Sequence, residues 1–271
     1  YIENVIALLD EGNTIPFIAR YRKEQHGAMD DTALRTLETR LQYLRNLAQR
    51  REEVKSSIEA QEKLTDELAK AIDEAKTLAE VEDLYRPYKP KRRTRATIAR
   101  EKGLEPLADA IFAQTLKMDA PEMLAQAYID PEKGVETAED ALSGAMDIIA
   151  EDISDDGEIR KALRLLIHRA AVVTATGDST ENTTYKMYYD FKEPVGRIAP
   201  HRVLAINRGE KEGFLKTAIV LEEEKALEAI RRKTVIANNA CSRAVMEAAA
   251  DSWKRLIAPC LLYTSDAADD L

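Results

Sequence analysis

The sequence predicts a mainly α-helical fold with at most a small β element, at 184–191 and 214–222. Three observations predict it. Ala, Leu and Glu are abundant while aromatic residues make up only 6% of the 271, and alanine and straight-chain residues lose least on entering a helix. Apolar residues recur at helical spacing through most of the chain. Only "TYKMYYDF" and "FLKTAIVLE" have strand-like composition, the second following Gly213 and rich in β-branched residues.

The elements follow in order. Ile2, Val5, Ile6 and Leu9 share one helical face, and Gly12 ends it. "NTIPFIARYRKEQHGAMDD" is a loop or short helix carrying Arg20, Arg22 and Lys23. Asp30 or Asp31 caps a long helix over 31–63, whose Leu34, Leu37, Leu41, Leu44 and Ala48 form a short coiled-coil-like seam. Thr65 opens the next helix, with Leu68 and Ile72 inward. Thr77 and Glu80 form a capping box before "LAEVEDLY". Pro87 and Pro90 stop that helix, because proline lacks an N–H and restricts the residue before it. A short helix starts at Thr94 and ends at Gly103. Pro106 and Pro121 suit first turns. Residues 137–175 read as two helices, the first started by Thr137 with Asp140 and broken between Ser154 and Gly157. Further helices are expected over 223–232 and 242–256. The last eleven residues, "LLYTSDAADDL", lack periodicity and do not continue the helix before Pro259, so 260–271 reads as a non-native tail. Two domains are expected: 1–105, containing the basic loop 86–102, and 106–259, containing the β element.

Composition excludes several functions. The net charge is −9, whereas whole-surface polyanion binders are basic, so any nucleic-acid contact is local. Cys241 and Cys260 have no metal-ligand spacing. No apolar run approaches a membrane span and no secretory signal opens the chain, which leaves the cytoplasm as the expected compartment. There is no phosphate-binding glycine loop, no nucleophile elbow, and His26, His168 and His201 lie far apart in sequence. "DISDDGEIRKAL" has acidic residues at calcium-loop positions, but the twelfth position, which needs a carboxylate, is Leu163. It reads as an acidic interhelical turn. No catalytic residue, metal, cofactor or small-molecule ligand is expected, and the chain is read as no enzyme.

One feature stands out against the acidic background. Eight of the 17 residues from Arg86 to Lys102 are Lys or Arg. Lysine and arginine release counterions from phosphate, and tyrosine can stack on a base. The candidate contacts are Lys89, Lys91, Arg92, Arg93, Arg95, Arg100 and Lys102, with Tyr88 as a stacker. Arg20, Arg22 and Lys23 are a possible second contact. Tyr85 and Arg86, at a helix end, read as structural. The alternative is a solvated face, or ion pairs with some of the chain's 49 acidic residues.

"TIPFIARYRKEQHGAMDD", "VEDLYRPYKPKRRTRATIAREKGLEPLA", "GVETAEDALSGAMDIIAEDISDD" and "HRVLAINRGEKEGFLK" resemble blocks of the bacterial Tex family of transcription accessory proteins. The resemblance covers about residues 1–259, and the family's members are much longer, so the chain is similar to an N-terminal part. It implies a helical region with a helix-turn-helix-like portion, followed in the family by RNase H-like, helix-hairpin-helix and OB-type RNA-binding domains. The implied function is nucleic-acid binding in transcription. The alternative is a scaffold that positions those later domains and docks RNA polymerase or another transcription protein.

Overall fold

The computed structural model describes residues 1–90, 93–115, 120–178 and 183–263. They form two compact units, Tyr1–Tyr88 and Lys89–Leu271. Both are mainly helical, and the second holds a small three-stranded sheet.

The first unit is built on one long helix. Helices α1 (Ile2–Asp10) and α2 (Ile15–Tyr21) precede α3 (Asp31–Glu59), and α4 (Asp66–Glu74) and α5 (Leu78–Tyr85) follow it. The Asp30 carboxylate starts α3 by accepting the Ala33 N–H at 2.7 Å. Two separate apolar clusters sit along α3. Val5, Leu8, Ile15 and Ile18 bury Leu34, and Ile72, Ala75, Val81 and Tyr85 bury Leu47, Val54 and Ile58. The buried face therefore swings by about 140° around the axis between Leu34 and Leu47. This corrects the expected seam: Leu44 is 46% exposed and Ala48 faces solvent. A 3.5-residue seam suits one continuous partner, whereas α3 has different partners at its two ends. The helix also stops at Glu59, short of 63.

Thr77 caps α5 through the Glu80 N–H at 3.2 Å. The expected box is only half formed, because the Glu80 carboxylate takes the Lys76 N–H at 2.6 Å. A one-turn 3₁₀ segment, Arg86–Tyr88, ends the unit.

In the second unit come α6 (Arg95–Glu101), α7 (Glu105–Ala113), α8 (Pro121–Gln126), α9 (Ala138–Asp155) and α10 (Gly157–Ala170). The expected boundary at 105 moves to 88/89, because Ala96, Ala99 and Leu104 enter the same core as Ala141, Ala145 and Ile148 of α9. Thr137 and Asp140 cap α9 reciprocally. Gly144 lets α6 approach α9 closely: a Cβ there would meet Leu104 Cδ1 and lie 3.3 Å from Ala99 Cβ. Overpacking costs about 1–3 kcal/mol, and alanine returns about 1 kcal/mol of helix propensity. Gly144→Ala is therefore expected to lose about 1 kcal/mol in urea unfolding.

Three strands follow, with α11 (Pro200–Lys211) between the second and third. They are β1 (Val172–Thr176), β2 (Asp190–Pro194) and β3 (Lys216–Val220), in the order β2-β1-β3 and antiparallel throughout. Residues 172–175 were expected to be helical and form the central strand instead. "TYKMYYDF" is mostly a turn and a 3₁₀ segment, with β2 starting at Asp190. The third strand lies inside 214–222. Ala175, Tyr185, Tyr188, Ile206 and Leu215 form a local core beside the sheet.

Helix α12 (Glu223–Thr234) and α13 (Ala240–Asp251) complete the main core, and a π-helical turn, Ser252–Ile257, leads into α14 (Ala258–Tyr263). The helical run thus continues past Pro259, and Leu261 is buried in the core with Leu262 packed against it. Residues 260–263 are part of the fold; 264–271 of the expected tail lie outside the described residues. On α12, hydrogen bonds from Arg231 and Arg232 hold the Glu228 carboxyl down to about 2, from an ordinary 4.5. A carboxyl depressed on folding adds stability above its unfolded value and loses it as pH falls toward its folded value. An NMR titration is expected to place the Glu228 midpoint near 2, and Glu228→Gln should flatten the loss of stability between pH 4.5 and 2.

Candidate nucleic-acid interface

The basic stretch is divided between the two units. On the first, Tyr85 is buried beside α3: its hydroxyl lies 2.9 Å from Ser57 Oγ, and the Arg50 guanidinium sits 5.5 Å from its ring centroid. Arg50 is held there by Glu82 at 2.6 Å and Glu53 at 3.1 Å. Tyr85 is thus a packing residue. Tyr88 is half-buried against the same cluster, and its carbonyl accepts from Gln61 Nε2 at 2.9 Å. Only part of its ring faces solvent.

On the second unit Lys89, Arg93 and Arg95 are exposed. Lys91 and Arg92 lie outside the described residues. Thr94 caps α6 through the Thr97 N–H at 3.0 Å, which places Arg95 at the first helical position. Arg93 reaches Glu101 at 3.1 Å, with both side chains more than half exposed. Such a pair contributes little and yields readily to another anion. Burial raises the Asp147 carboxyl, and Arg255 and Arg95 offset this only in part, so Arg95 is near a carboxylate without binding it.

Arg100 behaves differently. Its Nη1 is 2.7 Å from Glu151 Oε2, Nη2 is 2.5 Å from Asp152 Oδ1 and Nε is 3.3 Å from Glu105 Oε1. Burial works against its charge, but these carboxylates outweigh it and hold the guanidinium above its ordinary pKa. Lys102 donates to the Gly134 carbonyl at 2.7 Å. Arg100 and Lys102 therefore bind α9 and the turn before it, while Lys89 and Arg95 are exposed and Arg93 shares an exposed pair with Glu101.

Residues 1–59 match the model of the Tex-like protein N-terminal domain, and residues 117–261 match Tex central region-like.

The chain belongs to the Tex family.

This Tex-family chain is 48% identical to YdcI of Bacillus subtilis over 96% of its own length and 37% of that protein's. It is 45% identical to the transcriptional accessory protein Tex of Neisseria gonorrhoeae over 80% of its length and 29% of that protein's. It is also 30% identical to S1 RNA-binding domain-containing protein 1 of Homo sapiens, over 95% of its length and 27% of that protein's. The chain thus spans between a quarter and two-fifths of the curated relatives it matches, and similar proteins are not confined to bacteria.

The structure also brings together residues that the sequence reading did not connect. Arg20, Arg22 and Lys23 are exposed at the end of α2, beside the exposed rings of Phe17 and Tyr21. The signal was the i, i+4 spacing of the two rings opposite Ile15 and Ile18. Elsewhere, Gln114 is 2% exposed and ties α7 to the segment between α12 and α13. In the acidic turn Asp156 caps α10 through the Ile159 N–H at 2.8 Å, and Asp152 holds Arg100. Among the described residues no group of three or more His, Cys, Asp or Glu is placed to hold a metal, and no helix is long and apolar enough to cross a membrane.

Proposed function

We propose that this chain is the N-terminal part of a cytoplasmic, nucleic-acid-binding transcription accessory protein, and that it contacts phosphate through a local patch from Lys89 to Arg95. The observation that carries the reading is family membership, joined to relatives named for transcription and for an S1 RNA-binding domain. The exposed Lys89, Arg93 and Arg95 support it from the side of charge. Lys91 and Arg92 belong to the patch by sequence. No catalytic step, cofactor or metal is assigned to the chain.

Five phosphate contacts give a slope of log affinity against log salt of about −3.5 on single strands and about −4.5 on duplex DNA. The expected result of a salt titration is a slope of at least this size that becomes shallower by about 2 on single strands and about 3 on duplex DNA in the Lys89→Glu, Arg93→Glu, Arg95→Glu variant. A flat slope in the unmodified chain sinks the proposal.

A second reading rests on Arg100 and Lys102, whose charge is used inside the second unit. In it the chain is a scaffold that positions further domains and docks a transcription protein such as RNA polymerase. It predicts that the triple variant leaves binding to nucleic acid unchanged.

A further inference from the structure

Helix α2 presents two aromatic rings on the side away from its core contacts. Ile15 and Ile18 are buried, whereas Phe17 is 37% and Tyr21 60% exposed. The ring centroids are 5.3 Å apart, with planes inclined by 47°. The Arg22 guanidinium lies 5.2 Å from the Phe17 centroid and that of Arg20 lies 6.0 Å from Tyr21. Arg20, Arg22 and Lys23 have no ion-pair partner among the described residues. Several other cations of the same unit are paired, Arg45 with Asp10, Arg50 with Glu53 and Glu82, and Lys55 with Asp73, and what sets Arg20 and Arg22 apart is the exposed ring beside each.

Exposed π-faces beside uncompensated cations suit one ligand chemistry well. A base stacks on a ring or a guanidinium plane, and the adjoining phosphate takes the positive charge. A duplex hides its base faces, so the ligand is single-stranded. An acidic peptide would satisfy the charge, but it gains most from an apolar pocket for an anchoring side chain. The depression lined by Pro16, Ala19, Arg20, Lys23 and Asp31 is shallow, and neither ring lines it.

We propose that Phe17 and Tyr21, with Arg20, Arg22 and Lys23, form a stacking platform for single-stranded nucleic acid. The proposal rests on the nucleic-acid reading above but uses a surface in the other unit, so the two fail separately.

The test is fluorescence anisotropy with the full chain at fixed salt, using oligo(U) and oligo(dT) of about 12 nucleotides and a duplex of equal length. Phe17→Ala and Tyr21→Ala are each expected to weaken single-strand binding about fivefold or more and to leave duplex binding and the salt slope unchanged. Tyr21→Trp is expected to restore affinity. Arg20→Gln with Arg22→Gln should reduce the single-strand slope by about 1.4. The oligo(U) and oligo(dT) arms separate RNA from DNA as the source of the bases. Normal single-strand affinity in Tyr21→Ala and Phe17→Ala overturns the platform and leaves the Lys89 to Arg95 patch standing. Equal losses on duplex and single strand overturn stacking as its basis. Binding of a poly-glutamate peptide that Tyr21→Ala abolishes, without single-strand binding, assigns the surface to a protein and overturns the proposal. No binding to any oligonucleotide overturns both readings.

Discussion

Arg100→Ala is expected to lower the stability of the second unit by about 3 kcal/mol. The Glu151 side chain is only 10% exposed, so removing Arg100 strips counter-charge from a carboxylate that water reaches poorly. Breaking a buried pair from one side typically costs about 3–5 kcal/mol. Two facts place this case at the low end: Arg100 itself is 30% exposed, and Asp152 and Glu105 are more than half exposed and contribute little. Urea unfolding followed by the fluorescence of Trp253, the chain's single tryptophan and buried in the same core, measures the loss. Arg100→Lys should recover part of it, because a point charge replaces the fork that spans two carboxylates. Arg100→Met combined with Glu151→Met should recover most, since replacing both partners by apolar groups of similar volume is often near neutral. A double variant as unstable as Arg100→Ala would show that the ion pair is not what Arg100 contributes. Loss of nucleic-acid affinity with unchanged unfolding would return Arg100 to the phosphate-contact set.

Arg100 also shows where reading the sequence stops. Local rules worked where the determining atoms lie within four residues. Asp30, Thr65, Thr77, Thr94 and Thr137 each cap the helix expected to start beside them. The mainly helical class was legible for the same reason. The swing of the buried face along α3 was not, because it depends on which helices fold back onto each end. The strand β1 was missed because Val172, Val173 and Thr174 follow a helix after a single residue, Ala171, and their β-branched character was outweighed by the preceding periodicity. Within the basic stretch, Arg93 and Arg100 read alike in one dimension. The difference is made by Glu151 and Asp152, about fifty positions downstream, which α9 brings to Arg100 but not to Lys89 or Arg95. Contact with a distant acidic helix removes a cation from the surface, and composition alone cannot say which cation it will be.

The second large effect is expected at Gln114, which no motif marks. Its Nε2 donates to the Thr234 carbonyl at 2.7 Å and the Phe112 carbonyl at 3.1 Å, and its Oε1 accepts the Ile236 N–H at 3.1 Å. Its own carbonyl accepts from Asn239 Nδ2 at 3.1 Å, and Asn239 in turn caps α13. Gln114→Ala leaves the buried Thr234 carbonyl without this donor, at about 1–3 kcal/mol, and frees the Ile236 N–H, whose exposed residue lets water replace the bond at little cost, so a loss of about 2 kcal/mol is expected in the same unfolding assay. The backbone permits a finer separation. Gln114 has φ +51°, the left-handed region that β-carbon-bearing residues enter at a cost of about 1 kcal/mol or more. Gln114→Gly loses the same side-chain hydrogen bonds but is free of that cost, so it should be more stable than Gln114→Ala by about 1 kcal/mol. Gln114→Glu tests the direction of the bonds. Its carboxylate can still accept from Ile236 but cannot donate to Thr234, and burial disfavours the charge, so its pKa rises. A group whose pKa is raised on folding regains stability as pH falls through the folded value. The glutamate variant should therefore be least stable at neutral pH and recover on acidification, when the protonated acid can donate to the Thr234 carbonyl again. The alanine and glycine variants, with no titrating group, should not show that recovery.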